Sequence, residues 1–233
     1  LPFLPSYLSH FPKLMRNKYQ YKTLKSTGYG EYRDRGSKFL AHSFPIEKVE
    51  DVNISLEEIR KSHGKASHHC FAWRLGLEGM QYRANDDGEP SGTAGKPILG
   101  QIDSAGITNA LIIVTRYFGG TLLGTSGLIN AYRNAAALAI DNAEIIDKEL
   151  SDYYLFFCDY NKMPSIMDAA KKYNLIIVKQ EFDLECKITI QFPKSKWKDK
   201  LPEFVSNALA LRLDQVEPDA LLPHLSWELI GTW

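Results

Sequence analysis

The run ALIIVT at 110–115 is apolar without alternation, the pattern of a strand covered on both faces. Downstream, residues 125–143 repeat small and apolar residues at helical spacing. There Ala131, Ala135, Ala136 and Ala139 permit close packing on a sheet, and Leu128, Tyr132, Leu138 and Ile140 fill the interface. Thr125 and Ser126 stand where caps of that helix belong. Upstream, a helix is expected to begin between Gly95 and Pro97, since proline suits a first helical turn. Residues 22–27 read as a short strand, Gly28 and Gly30 as a turn, and SKFLAHSF at 37–44 as a strand. Leu56 and Ile59 then mark a helix capped by Asn53 or Ser55 and ending before Gly64.

The pattern changes near Leu150. A strand at 153–158 precedes a helix started by Met163-Pro164-Ser165, with Ile166, Met167, Ala169, Ala170 and Tyr173 at helical spacing. Strands at 175–182 and 185–192 follow. A second helix carries Trp197, Leu201, Phe204, Val205, Ala208 and Leu209, and Pro202 either starts or kinks it. A last strand is expected within 213–217, with 225–230 as an extra segment. The order β-α-β-β-α-β is that of a ferredoxin-like domain. The fold class is therefore α+β, with an N-terminal domain at 21–148, a C-terminal domain at 149–233, and an extension at 1–20.

That extension contains Pro2, Pro5 and Pro12, and its basic residues follow the apolar ones, so it does not read as an export signal. Met15 precedes the region of strongest pattern, so residues 1–14 are expected to lie upstream of the natural start and to be loosely docked. With 233 residues, 44% of them hydrophobic, the chain can bury two cores. The formal net charge is zero, which excludes a surface that is basic throughout but leaves room for a local basic patch. Cys70, Cys158 and Cys186 are widely spaced and odd in number, as in reduced thiols of a cytoplasmic protein. No apolar run has the length of a membrane span, and no DNA sequence reader is expected.

Candidate chemistry concentrates in 86–127. Two Gly-rich turns each precede a helix, and helix starts expose unpaired amides that attract anions. The candidate anion- or ligand-binding residues are Ser91, Gly92, Thr93, Gly95 and Lys96 in the first turn and Arg116, Gly119, Gly120, Thr125 and Ser126 around the second. Asp86, Asp87 and Glu89 would repel an anion unless their charge is offset. Asp86 is therefore expected to pair with Arg116 and fix the loop, with a hard divalent cation as the alternative. On a strand His68 and Cys70 share a face and His69 takes the other, a poor metal set. A structural role is expected for these histidines, with His68 positioned to line the cleft. No GxSxG, Walker A or cofactor pattern occurs, so no catalytic residue, metal or cofactor is assigned. Lys194, Lys196, Lys198 and Lys200 form either a solvated helix start or a phosphate-contact surface, and the first three are the nucleic-acid candidates.

The segments DDGEPSGTAGKPIL at 86–99, VTRYFGG at 114–120, Leu123-Gly124 and the Gly127 to Tyr132 helix together resemble the signature of the YigZ/IMPACT family. Gly36-Ser37-Lys38-Phe39 and the strand from His68 to Ala72 also fit it, and the likeness spans about 22–147. The resemblance implies an N-terminal domain of the ribosomal-protein and elongation-factor type, and a first helix beginning earlier, near Glu47. It further implies a C-terminal domain similar to a late domain of elongation factor G. Eukaryotic relatives act in a translation-control pathway and carry an extra N-terminal interaction domain; none is obvious in this sequence, so their protein partner is not expected to carry over. The expected role is regulatory, through RNA, the ribosome or a protein partner. The alternative is a small-ligand enzyme, hydrolase-like or phosphate-binding, using a cleft around Ser91, Lys96 and Arg116.

Overall fold

The computed structural model describes residues 18–216 and 225–232. Residues 21–148 form one compact unit, and the described residues of 149–233 form a second together with 18–20.

The first unit runs β1 (Gln20–Leu24), β2 (Gly28–Asp34), β3 (Ser37–Pro45), α1 (Val49–Ser62), β4 (His68–Leu75), β5 (Gln81–Asn85), α2 (Gly95–Ala105), β6 (Ala110–Tyr117), α3 (Gly124–Asp141) and β7 (Ile145–Glu149). Its main sheet has the order β2-β3-β6-β4-β5 with every neighbour antiparallel, and β1 pairs with β7. The unbroken apolar run is explained by the layers. Ala110, Ile112 and Val114 face α2 and α3, while Leu111 and Ile113 face the opposite cluster with Val52, Leu56 and Ile59 of α1. Helix α1 begins at Val49, ahead of Asn53 and Ser55, because the Asp51 carboxylate accepts the Glu47 and Lys48 amides at 2.8 and 3.1 Å. The earlier start implied by the resemblance is the nearer of the two expectations.

Three local expectations change. Gly28 and Gly30 are strand residues, not a turn. A Cβ on Gly28 would lie 2.1 Å from the Ala139 carbonyl oxygen, and one on Gly30 2.6 Å from the Ala139 amide, so they let α3 press onto the edge strand. Leu138 falls on the outer side of α3 and is 37% exposed. Helix α3 starts at Gly124 after Leu123, so Thr125 and Ser126 occupy its first turn and no side chain caps it.

The second unit runs β8 (Ser151–Cys158), α4 (Met163–Lys172), β9 (Ile176–Phe182), β10 (Cys186–Pro193), α5 (Lys194–Trp197), α6 (Leu201–Leu209), a 3₁₀ turn (Leu213–Gln215) and β11 (Leu225–Thr232). The sheet order β11-β8-β10-β9, all antiparallel, is the ferredoxin-like arrangement. One sheet face packs Phe156, Ile188, Ile190 and Phe192 against Ile166 and Ala170 of α4 and Phe204 and Val205 of α6. Pro202 lies in the first turn of α6, and Trp197 belongs to the preceding short helix, its ring 4.9 Å from that of Tyr173.

The strand expected at 213–217 is a turn over its described residues, because Arg212 binds Asp214 at 3.1 Å and takes the Gln215 carboxamide on its own amide at 2.9 Å. Glu217 and the extension at 1–17 lie outside the described residues. The closing strand is instead β11, paired along β8. Among the described residues no helix is long and apolar enough to cross a membrane.

Candidate ligand cleft of the first domain

The site is set by register. On β6 Arg116 sits between Phe39 of β3 and His68 of β4, and cross-strand partners point to one face. That face is the one covered by α2 and α3, so Arg116 ends the row begun by Ala110, Ile112 and Val114. Its guanidinium lies 5.4 Å from the Phe39 ring centre and 5.5 Å from that of Phe118.

A buried guanidinium needs a partner, and the partner is Glu89. The Arg116 Nη1 to Glu89 Oε1 distance is 2.6 Å, with Arg116 5% and Glu89 8% exposed. The Tyr132 hydroxyl donates to the same oxygen at 2.7 Å, and His68 Nε2 stands 3.9 Å from it. Arg116 Nη2 reaches Ser37 Oγ at 3.4 Å, and Ser37 also accepts the Gly119 amide at 3.2 Å.

The expected Asp86–Arg116 pair is therefore corrected. Asp86 turns the other way and accepts the amides of Gly92, Ala94 and Gly95 at 2.9, 3.0 and 2.8 Å. Burial alone would raise its carboxyl, but those amides and the Lys96 charge outweigh it and hold the carboxyl below the usual range. The start of α2 thus carries its own anion. Asp87 closes the other side: its carboxylate accepts the His69 amide at 2.6 Å, and its carbonyl meets His68 Nδ1 at 2.8 Å. A carbonyl only accepts, so that nitrogen of His68 carries the hydrogen, and in the neutral ring Nε2 presents a lone pair.

Cys70 and His68 share the inner face and His69 the outer, as strand alternation requires. The Cys70 thiol donates to the Asp86 carbonyl at 3.0 Å and lies 3.3 Å from the Tyr132 hydroxyl. Burial pushes both the Cys70 thiol and the Tyr132 hydroxyl well above their ordinary ranges, so both stay protonated. Among the described residues no group of three metal-ligating side chains converges.

A cleft of about 480 Å³ opens above the Arg116–Glu89 pair. His68 and Glu89 form its floor, Phe118, Leu122 and Leu128 its apolar walls, and Gly124 and Thr125 of α3 its far side. Of the candidate residues, Arg116 and Thr125 line this cleft. Ser91 and Lys96 are exposed elsewhere, Gly92 and Gly95 donate to Asp86, and Gly119 anchors on Ser37. Gly120 follows in the loop with φ +82°. Thr93 is buried, its hydroxyl donating to the Pro90 carbonyl at 2.6 Å.

The sequence reading missed the Tyr132–Glu89 bond, since tyrosine at helical spacing reads as core, and missed the walls. The available signal was FGGTLLG at 118–124, where Phe118 and Leu122 are 50% and 81% exposed. Lys194 belongs to the second domain, where it pairs with Asp152 at 3.1 Å; Lys196 and Lys198 are exposed, and Lys198 lies 3.8 Å from Asp199.

A family model described as the Impact N-terminal domain matches residues 35–140. An IMPACT family member of Haemophilus influenzae is 30% identical over 84% of this chain and 98% of its own length. The IMPACT family member YigZ of Escherichia coli is 31% identical over 75% of this chain and 88% of its own. A solved structure described as "Crystal structure of an hypothetical protein" superposes with a TM-score of 0.63 and 27% identity, covering 91% of this chain and 98% of that one.

Proposed function

The chain belongs to the IMPACT family, and from that premise we propose that it is a translation-linked regulatory protein that binds single-stranded RNA through its C-terminal domain. The observation that carries the reading is the composition of the sheet face opposite α4 and α6. Register pairs Tyr153 with Gln191, Leu155 with Thr189 and Phe157 with Lys187 on the two central strands of a ferredoxin-like sheet. Lys187 Nζ stands 5.6 Å from the Phe157 ring centre. Such a face offers rings for base stacking beside a cation, the combination used by four-stranded RNA-binding sheets. Lys196 and Lys198 supply further phosphate contacts, whereas Lys194 is already neutralised by Asp152.

The sealed network of the first domain favours binding over nucleophilic catalysis. Its buried thiol and phenol remain protonated, and its carboxylate is already paired. The test is fluorescence anisotropy of a labelled unstructured RNA across a salt series. Affinity should fall as salt rises, with a logarithmic slope of about −0.7 per phosphate neutralised. Phe157→Ala should weaken binding by about 1–3 kcal/mol without changing that slope. Salt-independent binding, or no binding at low salt, overturns the reading.

A further inference from the structure

We propose that the cleft of the first domain binds a nucleotide, with an amino-bearing base, guanine above all, against Glu89 and His68 and its phosphate at the start of α3. The inference is independent of the sheet face of the second domain.

Glu89 carries the argument. Arg116 and Tyr132 both use Oε1, and His68 approaches that same atom. Among the described residues nothing donates to Oε2, although the side chain is more than nine-tenths buried and lines the cleft. Oε2 is not shut away with the buried unpartnered atoms of this domain, so it faces the cleft as an acceptor that a ligand can take over. Beside it, His68 Nε2 presents a lone pair in the neutral ring, since Nδ1 is committed to the Asp87 carbonyl. With His68 neutral, the floor offers two acceptors, Glu89 Oε2 and a His68 Nε2 that stands 3.9 Å from the Oε1 of the same carboxylate. It calls for a ligand with two neighbouring donors.

Charge decides which donors. Arg116 cancels the charge of Glu89, and the positive end of α3 lines the same space, so an ammonium group would meet more repulsion than attraction. Neutral N–H donors fit, and an anion fits at α3, whose eighteen-residue helix starts without a side-chain cap. Between floor and helix start the walls are apolar, with Phe118 half-exposed as a stacking surface. About 480 Å³ lies within the roughly 300–1,000 Å³ of small-molecule sites. A flat donor edge, an apolar body and an anionic tail together describe a nucleotide. Guanine, with N1–H next to its 2-amino group, offers adjacent donors; uracil offers one flanked by acceptors.

The test is calorimetric titration of the full chain with GMP, IMP, UMP, guanosine and the dinucleotide GpG. GMP should bind, and IMP, which lacks only the 2-amino group, should bind about tenfold more weakly, as should guanosine, which lacks the phosphate. UMP should be weaker than IMP. Thr125→Glu puts a carboxylate in the first turn of α3, where it favours the helix, so the variant should stay folded yet lose the advantage of GMP over guanosine. Phe118→Ala should weaken every ligand. GpG tighter than GMP, with the gain lost in Phe118→Ala, assigns the site to an RNA chain, and equal affinity to free nucleotides, both in support. No binding by any of the five, equal affinity for GMP and IMP, or an unchanged phosphate gain in Thr125→Glu overturns the proposal.

Discussion

Replacing Arg116 by alanine tests whether the residue organises the first domain or merely faces a ligand. Its side chain is 6% exposed and that of Glu89 3%, at 2.6 Å, so alanine strands a carboxylate beneath the sheet layer with one remaining donor, Tyr132. Breaking a buried pair from one side costs about 3–5 kcal/mol, a fifth or more of the roughly 5–15 kcal/mol that holds most domains folded. With an m-value near 2 kcal/mol per molar urea, the midpoint should fall by about 2 M. Removing both charges in Arg116→Met/Glu89→Gln keeps an acceptor for Tyr132 and should recover at least about 1 kcal/mol of the loss. The indole N–H resonance of Trp73 reports this domain alone, because Trp73 is buried on β4 in its α1-side core. Urea titration followed by that signal measures all three proteins. A loss below about 1 kcal/mol in Arg116→Ala, or a double variant less stable than the single one, would refute the reasoning.

Two further predictions concern the loops around the cleft. Asp86 has its folded carboxyl held below the unfolded value, so its contribution is complete above about pH 4 and is lost as pH falls through the folded value. Asp86→Asn should lower the Trp73-monitored midpoint at neutral pH by an amount equivalent to about 1–2 kcal/mol and flatten its decline in acid; an unchanged acid slope would contradict the assignment. Gly119→Ala should cost more than Gly120→Ala, about 3 against about 1 kcal/mol, with urea midpoints deciding. A Cβ on Gly119 would lie 1.9 Å from the Gly36 carbonyl carbon, whereas Gly120 has open space and only a positive φ to lose. Equal costs would mean that the crossing of these two chain segments is not tight.

The elements that sequence periodicity made legible are those whose partners repeat along the chain. The apolar run of β6, the small-residue stripe of α3 and the βαββαβ order of the second domain all carry their geometry in their spacing. What stayed hidden depends on distant partners. Gly28 and Gly30 look like a turn until α3 is laid across them, and 225–232 looks like an appendage until it pairs with β8. Arg116 had three carboxylates to choose from within one loop. The choice is made by Asp87 and Gly88, both at positive φ, which reverse the chain so that Asp86 serves the amides of the next helix and Glu89 turns inward. Thr125 and Ser126 have the chemistry of caps, yet the helix begins one residue earlier, at Gly124, where φ is +72°.

The most direct measurement of the central claim is photocrosslinking of the full chain to an oligouridine carrying 4-thiouridine, with adducts located by peptide mass spectrometry. Oligouridine is the ligand that the cleft of the first domain should disfavour, so it isolates the sheet of the second. Adducts on β8 or β10, within 151–158 or 186–193, that fade with added salt and are lost in Phe157→Ala, are the predicted result. Adducts confined to the first domain, or none at low salt, would contradict the claim.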